Sequence, residues 1–282
     1  MTLQYAKNII DRQCEAWSLC RDNYSALHRV EKRELSDTDG RHVTTLLHNP
    51  ARIGSSAACP ASERPCFLCY GNRPAEQTAI VHGDYEILVN PFPIFPIHFT
   101  ISHRNHIPQT ISGHFKSMLE FCDIFPELTV FYNGPECGAS APDHHHFQAA
   151  NFQFPQADGK AEIACGQNFI QITSASDDFI LEKFGQLLNI LPQHTPEPMM
   201  NILSRRLDDG RKCVTFFPRL HHRPSCYGEI IVSPASVEMA GYMVTPRKAD
   251  FDTITARKAK EIIEEVSLTP QEIKELCNRL SQ

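Results

Sequence analysis

The segment at residues 138–150, GASAPDHHHFQAA, most constrains the fold, because a stretch of small residues runs directly into a histidine-rich one. In an extended strand, alternate side chains point to the same face. Two imidazoles and a carboxamide would then share one face, and an imidazole and two apolar groups the other: His144, His146 and Gln148 against His145, Phe147 and Ala149. This pattern predicts a strand over residues 144–154 that carries a site on the surface of a sheet.

The chemistry of this face favours attack on phosphorus. A neutral imidazole attacks without first losing a proton, and the Gly- and Ser-containing loop at residues 134–143 can bring backbone N–H groups to an anion. Gln148 could hold a phospho-histidine intermediate but cannot act as an acid near neutral pH. A leaving group that needs little protonation, such as a sugar phosphate or a nucleotide, fits best. The alternative is that consecutive histidines mark a metal site or a polar surface strand.

A second motif, Cys66-Phe67-Leu68-Cys69, places two thiols within reach of one metal ion. Alone, such a CxxC motif is equally compatible with a redox pair or with buried thiols. A structural zinc site needs four ligands, and two histidines that flank predicted strands can complete a Cys2His2 set, His106 and His144. His103 competes with His106 for the third position. We therefore predict structural zinc bound by Cys66, Cys69, His106 and His144.

The composition of the 282-residue chain narrows its class. Hydrophobic residues make up 41% and charged residues 21%, and the net charge of −6 argues against nucleic acid as a partner. Eleven cysteines at irregular spacing do not indicate a disulfide framework. Neither a secretory signal nor a run of about 18 apolar residues that could cross a membrane is visible. We expect a cytoplasmic protein with no membrane partner.

Periodicity predicts an α+β protein with an antiparallel sheet and flanking helices. Helices are predicted over residues 3–34, 114–125 and 176–191, and two more within 253–280, separated near Thr269-Pro270. Strands are predicted over residues 85–89, 98–102, 128–133, 169–173 and 214–217. The polar stretch at residues 35–65 is predicted to be an ordered surface loop that contacts substrate.

Two short segments, HFTISHR at 98–104 and GYMVTPR at 241–247, are alike, since each is an apolar strand that runs into a basic turn. A duplicated unit with one active copy would explain them, and so would chance. The corresponding division gives an N-terminal helical segment and substrate loop (1–60), an active half (61–155) and a degenerate half (156–282).

Several motifs together resemble the histidine-triad superfamily. PCFLCYGN at residues 65–72 resembles the zinc-binding CxxC segment of galactose-1-phosphate uridylyltransferases, and HHHFQ at 144–148 fits their HxHxQ pattern. HFTISHRNHI at 98–107 resembles the strand and basic turn of histidine-triad proteins. With residues 49–52, 217–224 and 244–251 added, the set is most similar to the branch of GDP-hexose phosphorylases and diadenosine-polyphosphate phosphorylases. The resemblance covers residues 45–155 well and 200–252 loosely.

The resemblance implies a histidine-triad-like fold in two halves, and a role for each matching residue. His146 would be the nucleophile and Gln148 would bind the oxygens of the nucleotidyl intermediate. Gly138 and Ser140 would lie beside the α-phosphate, and Asn133 would orient His146 or a phosphate. Two departures from the uridylyltransferase pattern, His145 in place of proline and Asp143 before the motif, favour the phosphorylase branch. The superfamily's hydrolases carry a third histidine where this chain has Gln148, which disfavours simple hydrolysis.

Basic residues in turn-like contexts are further candidates for substrate binding. Arg52 could reach the nucleotide, and four others could bind an acceptor phosphate or sugar phosphate: Arg219, Arg223, Arg247 and Lys248. A solvated basic surface explains each of them equally well.

Three functions remain open at this point. The first is a nucleotide-sugar phosphorylase or nucleotidyltransferase with phosphate or sugar 1-phosphate as acceptor. The second is a diadenosine-polyphosphate phosphorylase, and the third a non-catalytic, zinc-stabilised nucleotide-binding protein. The expected partners are therefore a nucleotide sugar or dinucleotide and a phosphate, and a homodimer is compatible with all three.

Overall fold

The computed structural model describes residues 1–36, 43–52, 64–157 and 161–282. It shows the predicted α+β class, with one nine-stranded sheet and one three-stranded sheet. The helices are α1 (Leu3–Ala16), α2 (Ser18–Ala26), α3 (Phe115–Ile124), α4 (Asp177–Ile190), α5 (Ser236–Met239), α6 (Lys248–Thr253), α7 (Ala256–Val266) and α8 (Pro270–Leu280). The strands are β1 (Glu31–Ser36), β2 (Val43–His48), β3 (Ala79–His82), β4 (Tyr85–Val89), β5 (His98–His103), β6 (Thr129–Asn133), β7 (His146–Ala150), β8 (Ile163–Cys165), β9 (Ile170–Ser174), β10 (Met200–Arg206), β11 (Lys212–Pro218) and β12 (Tyr242–Thr245).

The N-terminal region differs from the prediction of one helical segment over residues 3–34. The chain leaves the helical conformation after the 3-10 turn Leu27–Arg29, and residues 31–36 form β1 instead. β1 pairs with β2 from Glu31↔His48 to Ser36↔Val43. Antiparallel pairing with the next strand in the chain therefore outweighs the helical propensity of the sequence EKREL. Within the predicted substrate loop, residues 37–42 and 53–63 lie outside the described residues.

The large sheet has the strand order β3-β4-β5-β7-β6-β10-β11-β9-β8. It contains two similar units, β4-β5-β7-β6 and β8-β9-β11-β10, and each has one helix between its second and third strands in chain order. The units join where β6 pairs antiparallel with β10. The chain is thus built on a repeat, in which β9 is the counterpart of β5.

The sequence similarity that suggested a repeat was misplaced. Residues 242–245 form β12, which pairs parallel with β2 in the small sheet, whereas residues 98–103 form β5 of the large sheet. The two segments therefore occupy different positions, because a short apolar strand followed by a basic turn does not determine which neighbour the strand will find. The boundaries proposed for the three segments remain a prediction.

The two faces of the large sheet have different coverings. On one face, alternate strand residues such as Phe99, Phe147 and Phe216 are fully buried against α1, α3, α4 and α8. Each such aromatic side chain stabilises the fold by about 1.5–3 kcal/mol. On the other face, Phe131 and Phe217 pack against residues of the small sheet. Because β7 alternates, Phe147 on the helical face turns His146 and Gln148 toward the second face.

Strand β7 is shorter than the strand predicted over residues 144–154. It keeps regular pairing with β5 from Ser102↔His146 to His98↔Ala150. Before it, the backbone of His145 still bonds on both sides, with N–H to Ile107 O at 2.8 Å and O to His103 N at 2.9 Å. No helix among the described residues is long and apolar enough to cross a membrane.

Candidate active site

His146 is the first residue of β7, and its side chain is only 2% exposed. Its Nδ1 lies 2.8 Å from the carbonyl oxygen of His144. Because a carbonyl only accepts, Nδ1 carries the proton and donates it, which leaves a bare lone pair on Nε2. Nε2 is buried and has no hydrogen-bond partner among the described residues. The ring is thus fixed in the tautomer and orientation that a nucleophile needs.

The electrostatic surroundings keep His146 neutral. Burial lowers the pKa of its imidazole to about 4, although the hydrogen bond to the His144 carbonyl acts in the opposite direction. At neutral pH the Nε2 lone pair is therefore available rather than protonated. This is the protonation state that attack on phosphorus requires.

Gln148 lies two residues further along the same face and its amide orientation is set by its neighbours. Its Oε1 lies 2.8 Å from His98 Nε2 and accepts from Asn90 Nδ2 at 3.4 Å. His98 Nδ1 accepts the backbone N–H of Ile94 at 3.2 Å, so the proton of the His98 ring must be on Nε2. With its oxygen held in this way, Gln148 presents its NH2 group to a ligand.

Asn133, the last residue of β6, shows the same arrangement. Its Oδ1 accepts from Asn201 Nδ2 at 2.9 Å and from the backbone N–H of Ser236 at 2.8 Å, and the Ser236 hydroxyl lies 2.7 Å away. Continuing the β6–β7 register beyond Phe131↔Gln148 places Asn133 opposite His146. Two carboxamides with occupied oxygens and available N–H groups therefore flank the His146 imidazole.

The cysteine and histidine residues predicted to bind metal come together in the structure. The four ligand atoms of Cys66, Cys69, His106 and His144 all lie within 4.8 Å of one another. His144 Nδ1 is 3.2 Å from the Sγ of Cys66, and His106 Nδ1 is 3.2 Å from the Sγ of Cys69. Two thiols and two imidazoles are the donor set of a closed tetrahedral zinc site, whose ligand atoms lie about 3.5 Å apart.

Outer contacts orient the two histidines of this cluster. His144 Nε2 donates to the carbonyl oxygen of His103 at 2.7 Å, so its Nδ1 faces the thiols without a proton. His106 Nε2 lies 3.6 Å from an Asp143 carboxylate oxygen. The His103 ring, the competing candidate, instead accepts the backbone N–H of Asn105 at 3.1 Å and is outside the cluster.

The loop between β6 and the histidine motif requires glycine at one position. Gly138 has φ +87°, and a Cβ there would lie 2.6 Å from Cβ of Ala235. The Ser140 carbonyl accepts from Arg64 at 2.8 Å, and the Ser140 side chain is exposed. The loop thus packs closely on the segment before α5, and the predicted contacts of Gly138 and Ser140 with the α-phosphate remain predictions.

Arg219 does not have the role predicted for it. The side chain is 3% exposed and donates to five acceptors inside the protein, at distances from 2.5 to 3.1 Å: Val266 O, Asn201 Oδ1, Pro234 O, His221 O and His222 O. A guanidinium has five N–H groups, so none is left for a substrate. These internal hydrogen bonds allow the guanidinium to be buried. The local sequence around Arg219 shows only a basic residue in a turn and does not reveal them.

The remaining basic candidates have protein partners of their own. Arg223 lies over the Tyr227 ring at 4.0 Å, and Arg247 pairs with Asp250 at 2.7 Å. Lys248 pairs with Glu31 at 2.7 Å and with Asp252 at 3.1 Å. Among the described residues, none of these three side chains forms a hydrogen bond or ion pair with Asn133, His146 or Gln148.

Arg52 is the basic candidate that lies with the site. Its Nη1 donates to the Phe92 carbonyl at 2.6 Å, and its charge helps to lower the pKa of His98. It also lies near the buried carboxyl of Glu238, whose pKa burial raises to about 7. A half-buried cation therefore lies near the histidine that holds Gln148.

Several residues of the site were missed in the sequence analysis: Asn90, His98, Gln109, Asn201 and Ser236. His98 could have been found, because the alternation of β5 puts it on the same face as Ser102, which pairs with His146. Asn201 and Ser236 come from β10 and α5, and only the tertiary structure brings them to Asn133.

The neutral state of His98 predicts how stability depends on pH. Burial lowers its pKa to about 3, whereas an unfolded histidine titrates near pH 6.5. Between these values the unfolded chain holds a proton that the folded chain lacks, so the free energy of unfolding falls as pH falls. His98 contributes up to about 1.4 kcal/mol per pH unit. Urea unfolding between pH 7 and 4 should give a shallower slope for His98→Asn, and equal slopes would contradict a buried neutral His98.

Two family models match this chain. Residues 9–151 match the family described as "Domain of unknown function (DUF4922)", and residues 198–282 match the "GDPGP1-like, C-terminal domain". The galactose-1-phosphate uridylyltransferase of Lactococcus lactis subsp. cremoris (strain SK11) is 27% identical over 205 residues, which cover 55% of this chain and 42% of that protein. The uridylyltransferase of Clostridium perfringens (strain 13 / Type A) is 29% identical over 131 residues, which cover 40% and 26%.

The fold is also similar to that of solved structures. Yeast Ap4A phosphorylase Apa2 matches with a TM-score of 0.58 and 15% identity, over 89% of this chain and 97% of that one. Its complex with Ap4A gives a TM-score of 0.60 at 14% identity, with the same coverage. The chain spans less than half the length of the curated uridylyltransferases it matches. Because the first family model matches just over half of the chain, the chain belongs to the DUF4922 family.

Proposed function

We propose that this protein is a nucleotidyltransferase or phosphorylase that acts on a GDP-hexose-like nucleotide sugar through a covalent nucleotidyl-His146. The observation that carries the proposal is the state of the His146 ring, which is buried and neutral, with Nδ1–H bound to a carbonyl and Nε2 without a partner. His145, which packs on the helical side, has neither ring nitrogen bound. A nucleophile needs one nitrogen held and the other left bare.

In the first step, the lone pair of His146 Nε2 attacks the α-phosphorus of the substrate. A P–N bond forms, and the bond from the α-phosphorus to the bridging oxygen breaks, so that a sugar phosphate leaves with that oxygen. The Nδ1 proton stays on the ring and remains bound to the His144 carbonyl, which stabilises the positive charge of the nucleotidyl-imidazolium. In the second step, an oxygen of inorganic phosphate or of a sugar 1-phosphate attacks the phosphorus and releases His146.

The charge that develops on the phosphoryl oxygens needs donors that are already oriented. The amide N–H groups of Gln148 and Asn133 supply them, because the oxygens of both amides are bound by protein donors. Neither amide can protonate a leaving group. A phosphate leaving group, which is already anionic and stable near neutral pH, therefore suits this site better than an alcohol or an amine.

The Cys66, Cys69, His106 and His144 cluster fits zinc by its donor types and by their mutual distances. We propose that zinc, when bound there, supplies a structural cross-link between the CxxC segment and the residue before β7. The carbonyl oxygen of His144 is also the acceptor for His146 Nδ1, so the cluster fixes the orientation of the nucleophile without taking part in the reaction.

We propose a cytoplasmic location and a reducing environment for the protein. The ten cysteines of the described residues are all free thiols, as expected where thiols are kept reduced. A homodimer is part of the proposal.

A second candidate substrate is Ap4A, which Apa2 binds in one of the similar structures. A panel of GDP-, UDP- and ADP-sugars and Ap4A, each with inorganic phosphate, distinguishes the two, and product formation identifies the substrate class. The substrates are labelled at the α-phosphate, which would stay on His146. Label that remains on the protein in a denaturing gel then reports a covalent adduct. If no member of the panel gives either product or adduct, while nucleotides bind, the third candidate, a non-catalytic binding protein, is favoured.

A further inference from the structure

Gln109 lies in the segment between β5 and α3, and its side chain is fully buried at 0% exposure. Its Oε1 accepts the backbone N–H of His146 at 2.7 Å. Its Nε2 donates to the His146 carbonyl at 3.0 Å and to the Asn133 carbonyl at 2.9 Å. One carboxamide thus contacts the backbones of the candidate nucleophile and of the residue opposite it.

These contacts lie where β6 and β7 separate. The direct β6–β7 pairing ends at Phe131↔Gln148, two residues before the pair that Asn133 and His146 would form. There the Gln109 side chain occupies the gap and satisfies three backbone groups that a continued ladder would have used: the N–H and C=O of His146 and the C=O of Asn133. The width of the gap between the two strands is therefore set by a side chain from a third segment.

We propose that Gln109 is a positioning residue, which sets the distance and orientation between His146 Nε2 and the Asn133 amide. The inference rests on the proposed function, in which His146 attacks the phosphorus whose oxygens Asn133 binds. Gln109 does not touch substrate. It acts through the backbones of His146 and Asn133, and a displacement of about 1 Å between reacting groups can lower a rate by about 100-fold.

Glutamine is specifically required because the gap presents two carbonyls and one N–H. A carboxamide offers a matching set of two N–H donors and one acceptor. Gln109→Glu keeps the acceptor for His146 N–H but turns an oxygen toward two carbonyls. Gln109→Met keeps the length of the side chain and removes all three hydrogen bonds.

Gln13 in α1 provides a matched control. It is 1% exposed, donates to the Glu76 carbonyl at 2.6 Å, and accepts from the N–H and the hydroxyl of Thr78 at 2.9 Å each. Gln13→Met therefore removes the same number of hydrogen bonds from an equally buried glutamine, at a place the mechanism does not use. A purely structural role for Gln109 predicts the same behaviour for both variants.

The experiment measures thermal unfolding and the single-turnover rate of adduct formation at saturating nucleotide, with the substrate that the wild type uses. Both Met variants are expected to lower the melting temperature by similar amounts. Gln109→Met is expected to lower the adduct rate by about 10–100-fold with little change in KM. The adduct rate of Gln109→Glu should lie between those of Gln109→Met and the wild type. Gln13→Met should react at the wild-type rate. A folded Gln109→Met with a rate within twofold of Gln13→Met would overturn the proposal.

A second measurement does not depend on turnover. In protein labelled with 15N at histidine, the ring nitrogens of His146 report its tautomer. The wild type is expected to show one tautomer, with the proton on Nδ1, and Gln109→Met a mixture, while Gln13→Met resembles the wild type. If the wild type makes no adduct but the spectra differ as expected, the proposed function fails and the positioning role stands. An unchanged His146 spectrum in Gln109→Met would overturn the positioning role itself.

Discussion

The His146→Ala variant is expected to form no covalent adduct and to lose turnover by about 10,000-fold or more, because it removes the nucleophile rather than a supporting contact. Its fold should survive, since Nε2 of His146 has no partner to lose and Nδ1 contributes a single hydrogen bond. The measurement is the retention of label from the α-phosphate on denatured protein, with steady-state rates recorded on the same samples. A residual adduct at wild-type level would place the nucleophile elsewhere.

His145→Leu is the control for this variant. His145 is as buried as His146, at 0% against 2% exposure, but its ring stacks on His114 at 4.0 Å on the helical side of the sheet. Neither of its ring nitrogens has a hydrogen-bond partner in the described residues. Leucine has a similar volume and no polar group, so the adduct should form as in the wild type. Loss of the adduct in both variants would show that any change in the motif disrupts the site.

The Cys66→Ser variant is expected to lose bound zinc and to lower the free energy of unfolding by more than about 3 kcal/mol, because the binding free energy of a structural metal is folding free energy. For a chain of this size the melting temperature should fall by roughly 6–12 °C. Zinc content and thermal unfolding of the same preparation check both parts. The cluster holds the residue whose carbonyl orients His146, so the adduct rate should fall as well.

The matched control for the metal is Cys122→Ser. Cys122 is also buried, but its Sγ lies 2.8 Å from Ser204 Oγ and outside the metal cluster, so a hydroxyl has a partner there. This variant should keep its zinc. Treatment with a strong chelator should lower the melting temperature of the wild type and of Cys122→Ser but leave Cys66→Ser unchanged. A wild-type protein that contains no zinc when freshly prepared without chelator would refute the metal assignment.

Local alternation predicted the central part of this molecule correctly. The period-two pattern of residues 146–150 determines which side chains face the helices, and Phe147 and Ala149 indeed lie in that core. The strands at residues 85–89 and 98–103 and the helices α3, α4, α7 and α8 also follow their patterns within two or three residues. In these elements, burial of one face and the preferred backbone conformation act in the same direction.

The failures share a physical cause, which is a contact with a partner that the local sequence pattern does not show. Residues 31–36 form a strand because β2 offers a partner, although their own sequence favours a helix. Arg219 resembles a phosphate ligand in sequence, yet all of its N–H groups donate to four backbone carbonyls and to Asn201. Gln109 stands in a polar turn, and nothing nearby in the sequence shows that it fills the gap between β6 and β7.

The antiparallel pairing of β6 with β10 has a consequence for how this fold can be divided. All four cysteine and histidine ligands, His146 and Gln148 lie within residues 61–155, so that fragment carries the complete reactive chemistry. The groups that hold the oxygen of Asn133 come from β10 and α5, beyond the fragment. Removing β10 would also leave backbone N–H and C=O groups of β6 unpaired at the edge of the sheet. Such an edge can pair with another chain, so the fragment would tend to self-associate. We therefore expect the 61–155 fragment to lose the orientation of Asn133 when it is separated from β10 and α5.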